Sequence, residues 1–168
     1  MYPMYDPEAV RPMWEELERV GVRSLRSAEE VDTAVAAEGT TLVVVNSVCG
    51  CAAGGARPGV MLALQHERIP DRLTTVFAGM DREATEEARS YMADIPPSSP
   101  CIALFKEGRP VYVLERRHIE QMDARMVAAN LARAFDQHCS AAGPSIPPEE
   151  FAKLAPLQQC GSSIPRMG

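Results

Sequence analysis

The sequence predicts one α/β domain with a central mixed β-sheet of about four strands, flanked by helices and preceded by an extra N-terminal helix. Three observations carry that expectation. Leu42 to Val45 form an uninterrupted apolar run, the pattern of a strand buried on both faces inside an α/β sheet. Such runs alternate with helical periodicity in the order βαβ, α, ββα, which requires a parallel pair extended by an antiparallel hairpin. The length of 168 residues suits a single domain burying roughly 68–70% of the surface its unfolded chain exposes, so folding needs no disulfide staple.

The elements follow in chain order. Val10, Met13, Trp14, Leu17 and Val20 fall on one helical face, predicting an amphipathic helix over 7–20 that ends at Gly21, with Trp14 as its core anchor. Ser27 and Glu30 fit a capping box opening a second helix that turns Val31, Ala34 and Val35 inward, with Gly39 suited to its C′ position. After the strand at 42–45, "VMLALQHERI" reads as helix, kinked by Pro58 if that helix starts as early as Gly50. "RLTTVFAG" is a second strand, and "DREATEEARSYM" a third helix with Asp81 as N-cap. "CIALFKEGRPVYVLE" gives two strands around Glu107-Gly108. "IEQMDARMVAANLARAFDQHC" closes the domain as one helix, with Met122 and Met126 read as core filler beside Val127, Leu131 and Phe135. Residues 1–140 therefore form the domain. Five prolines in the last 28 residues predict a loosely packed or disordered tail over 141–168.

Composition narrows the function classes. Hydrophobic residues at 46% and charged residues at 24% exclude collagen-like and wholly disordered chains. A net charge of −6 offers no basic field for nucleic acid or an anionic membrane. "MYPMYDPEAV" lacks the marks of a signal peptide, and no stretch approaches ~18 uninterrupted apolar residues, so the expected location is the cytoplasm.

The chemistry concentrates in the cysteines. Cys49, Cys51, Cys101, Cys139 and Cys160 are an odd number with one tight cluster, unlike the even framework of a small secreted domain. Cys49 lies where the first strand passes into a helix, and unpaired N–H groups with the positive end of the helix dipole favour a thiolate there. One residue between Cys49 and Cys51 allows a disulfide only in a restricted set of backbone conformations, which Gly50 widens. Such a bond is strained, which predicts an oxidising couple suited to exchange and isomerisation.

The element order with cysteines at the first strand-to-helix junction is thioredoxin-like. That analogy predicts a cis peptide at Ser99-Pro100, facing the cysteines. Cys101 is then either a third redox partner or a buried apolar strand residue.

"RPMWEELERVGV", "LVVVNSVCGCAAGGARPG", "PPSSP" and "LFKEG" together resemble the bacilliredoxins, bacterial thioredoxin-fold proteins with a C-G-C active site. The resemblance spans about residues 8 to 139, and the C-G-C segment is its most specific part. It implies Cys49 as attacking cysteine, Cys51 as resolving cysteine and Pro100 as cis-proline. Gly50, Ser99 and Cys101 are separately expected beside the substrate, from their places next to these residues in the sequence. It further implies removal of a small thiol, bacillithiol, from mixed disulfides on client proteins, with disulfide isomerase activity beside it. A separate reductase is expected to recycle the pair, and no cofactor is expected.

Rival readings attach to the same residues. A C-x-C pair suits Zn²⁺ or Cu(I), with Cys101 or a tail cysteine as third thiolate, although structural zinc sites use C-x₂₋₄-C spacing and no second pair is present. "GCAAGG" has neither G-x-G-x-x-G nor Gly-Lys-Ser/Thr, which argues against a phosphate loop. His66, His118 and His138 read as surface or capping residues, and Glu83, Glu86 and Glu87 as a solvated helix face. Arg57 is read as a solvated side chain, with the holding of an anionic thiol as its functional alternative.

Overall fold

The computed structural model describes residues 2–154. Helix α1 (Pro7–Glu18) starts at Asp6, whose side chain accepts from the Glu8 N–H at 3.0 Å. Strand β1 (Arg23–Ser24) and helix α2 (Ala28–Val35) follow, the latter opened by Ser27, which accepts from the Glu30 N–H at 3.1 Å. Gly39 does not close α2, which ends four residues earlier. With φ of +84° it turns the chain into β2 (Thr40–Asn46), a backbone conformation that glycine adopts without penalty.

Every residue of β2 is buried, as its apolar run requires. The chain continues through α3 (Arg57–Ala63), β3 (Arg68–Ile69), β4 (Arg72–Phe77) and α4 (Arg82–Ser90). The hairpin β5 (Cys101–Lys106) and β6 (Arg109–Leu114) turns at Glu107 and Gly108, both at positive φ. Then come α5 (Arg116–Ile119), α6 (Ala124–His138), β7 (Ala141–Ala142) and α7 (Pro148–Phe151). The main sheet has the order β1-β4-β2-β5-β6, with β2 parallel to β4 and antiparallel to β5. This is the thioredoxin-like arrangement.

The two-residue period of the strands divides the core. Leu42, Val44, Ile102 and Leu104 face a cluster with Leu17, Val60, Leu64, Leu131 and Phe135. Val43, Val45, Cys101, Ala103 and Phe105 face the opposite cluster with Val31, Val35, Ala84 and Ala88. Burying each large apolar side chain stabilises the fold by about 1.5–3 kcal/mol. Trp14 belongs to a smaller cluster with Val10, Met13 and Phe77, meeting Phe77 edge-on at 6.2 Å.

Five expectations are corrected. The main sheet has five strands, because β1 is too short to show a period of its own. The last helix is two, because the Asp123 carboxylate accepts from the Met126 N–H at 2.8 Å and begins α6 afresh. That phase leaves Met126 49% exposed, so only Met122 packs on the core. Asp81 precedes α4 without a side-chain cap, its carboxylate lying 3.6 Å from the Arg26 guanidinium instead. Residues 141–154 are not loose: β7 pairs with β3, Ser145 Oγ donates to the Val20 carbonyl at 2.6 Å, and Ile146, Phe151 and Leu154 pack on the first core. Their prolines serve as turn and helix-start residues, Pro148 opening α7. Residues 155–168, and with them Cys160, lie outside the described residues.

Candidate active site

The buried strand β2 delivers the chain to Ser47 and Val48, and helical structure begins at Gly50. The Cys49 carbonyl accepts from the Ala52 and Ala53 N–H groups at 3.1 and 3.2 Å, which makes Cys49 the entry residue of the helix. Ser47 Oγ accepts from the Cys49 N–H at 3.2 Å. The bend expected from Pro58 takes the form of a widened π-helical turn over Ala52–Ala56, closed by Arg57 N–H to the Ala52 carbonyl, before regular α3. One helical run from Gly50 to Ala63 therefore presents its N-terminus to the pair.

The two thiols are half-buried, and their sulfurs lie 2.8 Å apart. Burial opposes ionisation of Cys49. Hydrogen bonds from Cys51, Ser47 and the Ala52 backbone, with the charge of Arg116, outweigh it and hold the thiol below its ordinary value. Burial, then the hydrogen bond and charge of Cys49, push Cys51 up to about 11. Cys49 ionises first.

The other expected site residues divide. The Ser99-Pro100 peptide is cis and leads into β5, beside β2. Cys101 is turned the other way: it is 3% exposed, its thiol is pushed up to about 12 by burial and then by Glu115, and it belongs to the second core, whereas Cys51 packs against the first. The gap beside it holds about 10 Å³, room for one water at most. Cys139 is also buried, and its thiol is raised by burial. His118 Nδ1 accepts from the Glu115 N–H at 3.0 Å and so caps α5, while His66 pairs with Asp136 at 2.8 Å near the surface. Among the described residues, no three His, Cys, Asp or Glu side chains converge as metal ligands.

Two arginines bear on the site, one expected elsewhere and the other not anticipated. Arg57, expected in solvent, is fully buried. Its Nη1 donates to the Ser47 carbonyl at 2.7 Å and to Asn46 Oδ1 at 3.1 Å, and its Nε lies 3.6 Å from Glu16 Oε1 of α1. The available signal was Glu16 itself, a carboxylate between Met13, Leu17 and Val20 on a helical face otherwise apolar. Arg116 carried no such signal. It arrives from the start of α5, its Nη1 donating to the Ser99 carbonyl and its N–H to Ser98 Oγ, each at 3.3 Å. Its Nε holds Glu120 at 2.8 Å.

A family model described as disulphide isomerase matches residues 5–139. The chain is 48% identical to a bacilliredoxin of Salinibacter ruber over 96% of its own length and 95% of the relative's. It is 50% identical to a bacilliredoxin of Koribacter versatilis over 82% and 96% of the respective lengths. A solved thioredoxin of Malassezia sympodialis is similar at a TM-score of 0.46 and 16% identity, covering 70% of this chain and 90% of that one. Family and fold together define a thiol-disulfide oxidoreductase. Within that class, the chain belongs to the bacilliredoxin family.

Proposed function

We propose that the protein removes a low-molecular-weight thiol of bacillithiol type from mixed disulfides on client proteins. Cys49 attacks and Cys51 resolves. The observation that carries this reading is the unequal thiol pair: two sulfurs 2.8 Å apart at a helix mouth, with Cys49 below and Cys51 above the ordinary thiol value. The Cys49 thiolate attacks the small-thiol sulfur of the client's disulfide. A Cys49–small-thiol disulfide forms as the client sulfur leaves with the bonding pair and takes a proton. Cys51, after losing its proton, then attacks Cys49 Sγ, expels the small thiol and leaves a Cys49–Cys51 disulfide. A separate reductase supplies the two electrons that reopen it. Alternatively, a second small thiolate attacks the bound one, freeing Cys49 and releasing a symmetric small-thiol disulfide.

Gly50, Ser99 and Pro100 line the approach to Cys49 in this reading. Arg116 borders a groove of about 240 Å³ shared with Pro96, Pro97, Ser98 and Glu120, space for the body of the small thiol. Disulfide isomerisation uses the same attack on a client's own disulfide and is the secondary activity. The clustered free thiols suit a reducing cytoplasm, and among the described residues no helix is long and apolar enough to cross a membrane. Intact-mass spectrometry after mixing the reduced protein with a bacillithiolated client tests the scheme. Transfer of one small-thiol mass to Cys49 is expected, and a client that keeps its adduct in the presence of wild-type protein overturns it.

A further inference from the structure

Arg57 is the largest fully buried side chain among the described residues, yet it is an ion. Burying a guanidinium is costly without a counter-charge and hydrogen bonds, and this one has both. Glu16, itself 4% exposed, faces it from α1. Its hydrogen bonds reach Asn46 and Ser47, the two residues that carry β2 into the cysteine loop. Asn46 Oδ1 also accepts from the Ser47 N–H at 2.8 Å, and Asn46 Nδ2 donates to the Met13 carbonyl at 3.1 Å, tying the same corner to α1. Ser47 in turn accepts from the Cys49 N–H.

We propose that Arg57 and Glu16 form a buried positioning pair for Cys49: the guanidinium fixes the Asn46–Ser47 corner that holds the Cys49 N–H and adds positive charge to that end of the sheet, while Glu16 moderates that charge. The inference rests on the attacking role proposed for Cys49. Neither residue touches substrate, and both act through Cys49. The extra N-terminal helix thereby becomes part of the redox site rather than a covering for the sheet. The groups that interact electrostatically with Cys49 are Arg57, which Glu16 contacts from α1, the Cys51 thiol 2.8 Å away, and Arg116 with its partner Glu120 from α5. Arg57 and Cys49 attract each other, and Arg57 and Glu16 attract each other.

Opposite signs distinguish a charge role from a merely structural one. In a Cys51→Ser background, the Cys49 titration is followed by thiolate ultraviolet absorbance, and its alkylation by iodoacetamide is timed at neutral pH. Arg57→Met is expected to raise the Cys49 pKa and slow alkylation by roughly threefold to tenfold. Glu16→Gln is expected to lower it and speed alkylation, because the guanidinium is then uncompensated. Arg57→Lys, which keeps the charge, should restore most of the wild-type titration. Arg57→Met combined with Glu16→Leu removes both charges and serves if either single variant fails to fold. It should titrate closer to wild type than Arg57→Met, at an unchanged far-ultraviolet spectrum. Shifts of the same direction in Arg57→Met and Glu16→Gln, or none in folded variants, overturn the pair. Client de-thiolation that survives Cys49→Ser overturns instead the reading on which the pair depends.

Discussion

Cys49 and Cys101 occupy the same end of the sheet, and only one of them is placed to react. Cys101 pairs with Val45 in the β2–β5 ladder, four positions before Cys49 in the neighbouring strand. Inside the ladder the alternation of side chains assigns Cys101 to the second core, where its thiol is raised to about 12. Beyond the ladder Cys49 escapes that alternation, reaches the start of a helix and collects donors. A thiol's character here is set by whether it stands inside or just outside the hydrogen-bonded strand.

The largest effect that would break this comparison is Cys49→Ser, expected to reduce exchange to the uncatalysed level in a client de-thiolation assay while Cys101→Ser leaves it intact. Next is Cys51→Ser, which should stall the protein as a stable Cys49 mixed disulfide visible by intact mass. A third test reads pH. The folded-state pKa of Cys101 lies above its unfolded value, so its stabilisation is complete below the ordinary thiol range and lost as pH rises toward about 12. A shift from 9.0 to about 12 corresponds to about 4 kcal/mol at most. Cys101→Ala should cost about 1 kcal/mol in urea unfolding at neutral pH and flatten the alkaline decline; an unchanged alkaline slope would contradict the burial argument. For Cys49 the sign reverses: its contribution is present above the ordinary thiol pKa and fades as pH falls through the lowered folded value. The smallest effect is Arg116→Gln, which should raise the Cys49 pKa slightly. Added salt should mimic it in the wild type, since Arg116 is solvent-exposed and screened.

What the sequence disclosed was local. The run Leu42 to Val45, the cysteines one residue apart after it, the Ser27 cap and the Glu107-Gly108 turn each depend on neighbours within a few positions. The residues that escaped depend on distant parts of the chain. Arg57 reads as a surface cation until α1 brings Glu16 over it, 41 positions earlier in sequence, and Arg116 reaches the thiols only after the hairpin folds back. The break at Asp123 was local and readable, but the continuous apolar spacing from Met122 to Phe135 concealed it.

The returning segment after α6 has a practical consequence. Gly143 and Ser145 donate to the carbonyls of Glu67 and Leu64, and Gln65 Nε2 donates to that of Ile146, so this stretch buckles the turn after α3 shut. The matched family region stops at residue 139, before the buckle. A truncated product ending at Ser140 would keep Cys49, Cys51, Cys101 and Cys139 but shed a clasp over Leu64 and Ile69, and should tend toward self-association and lower melting temperature at unaltered reactivity of the Cys49–Cys51 pair.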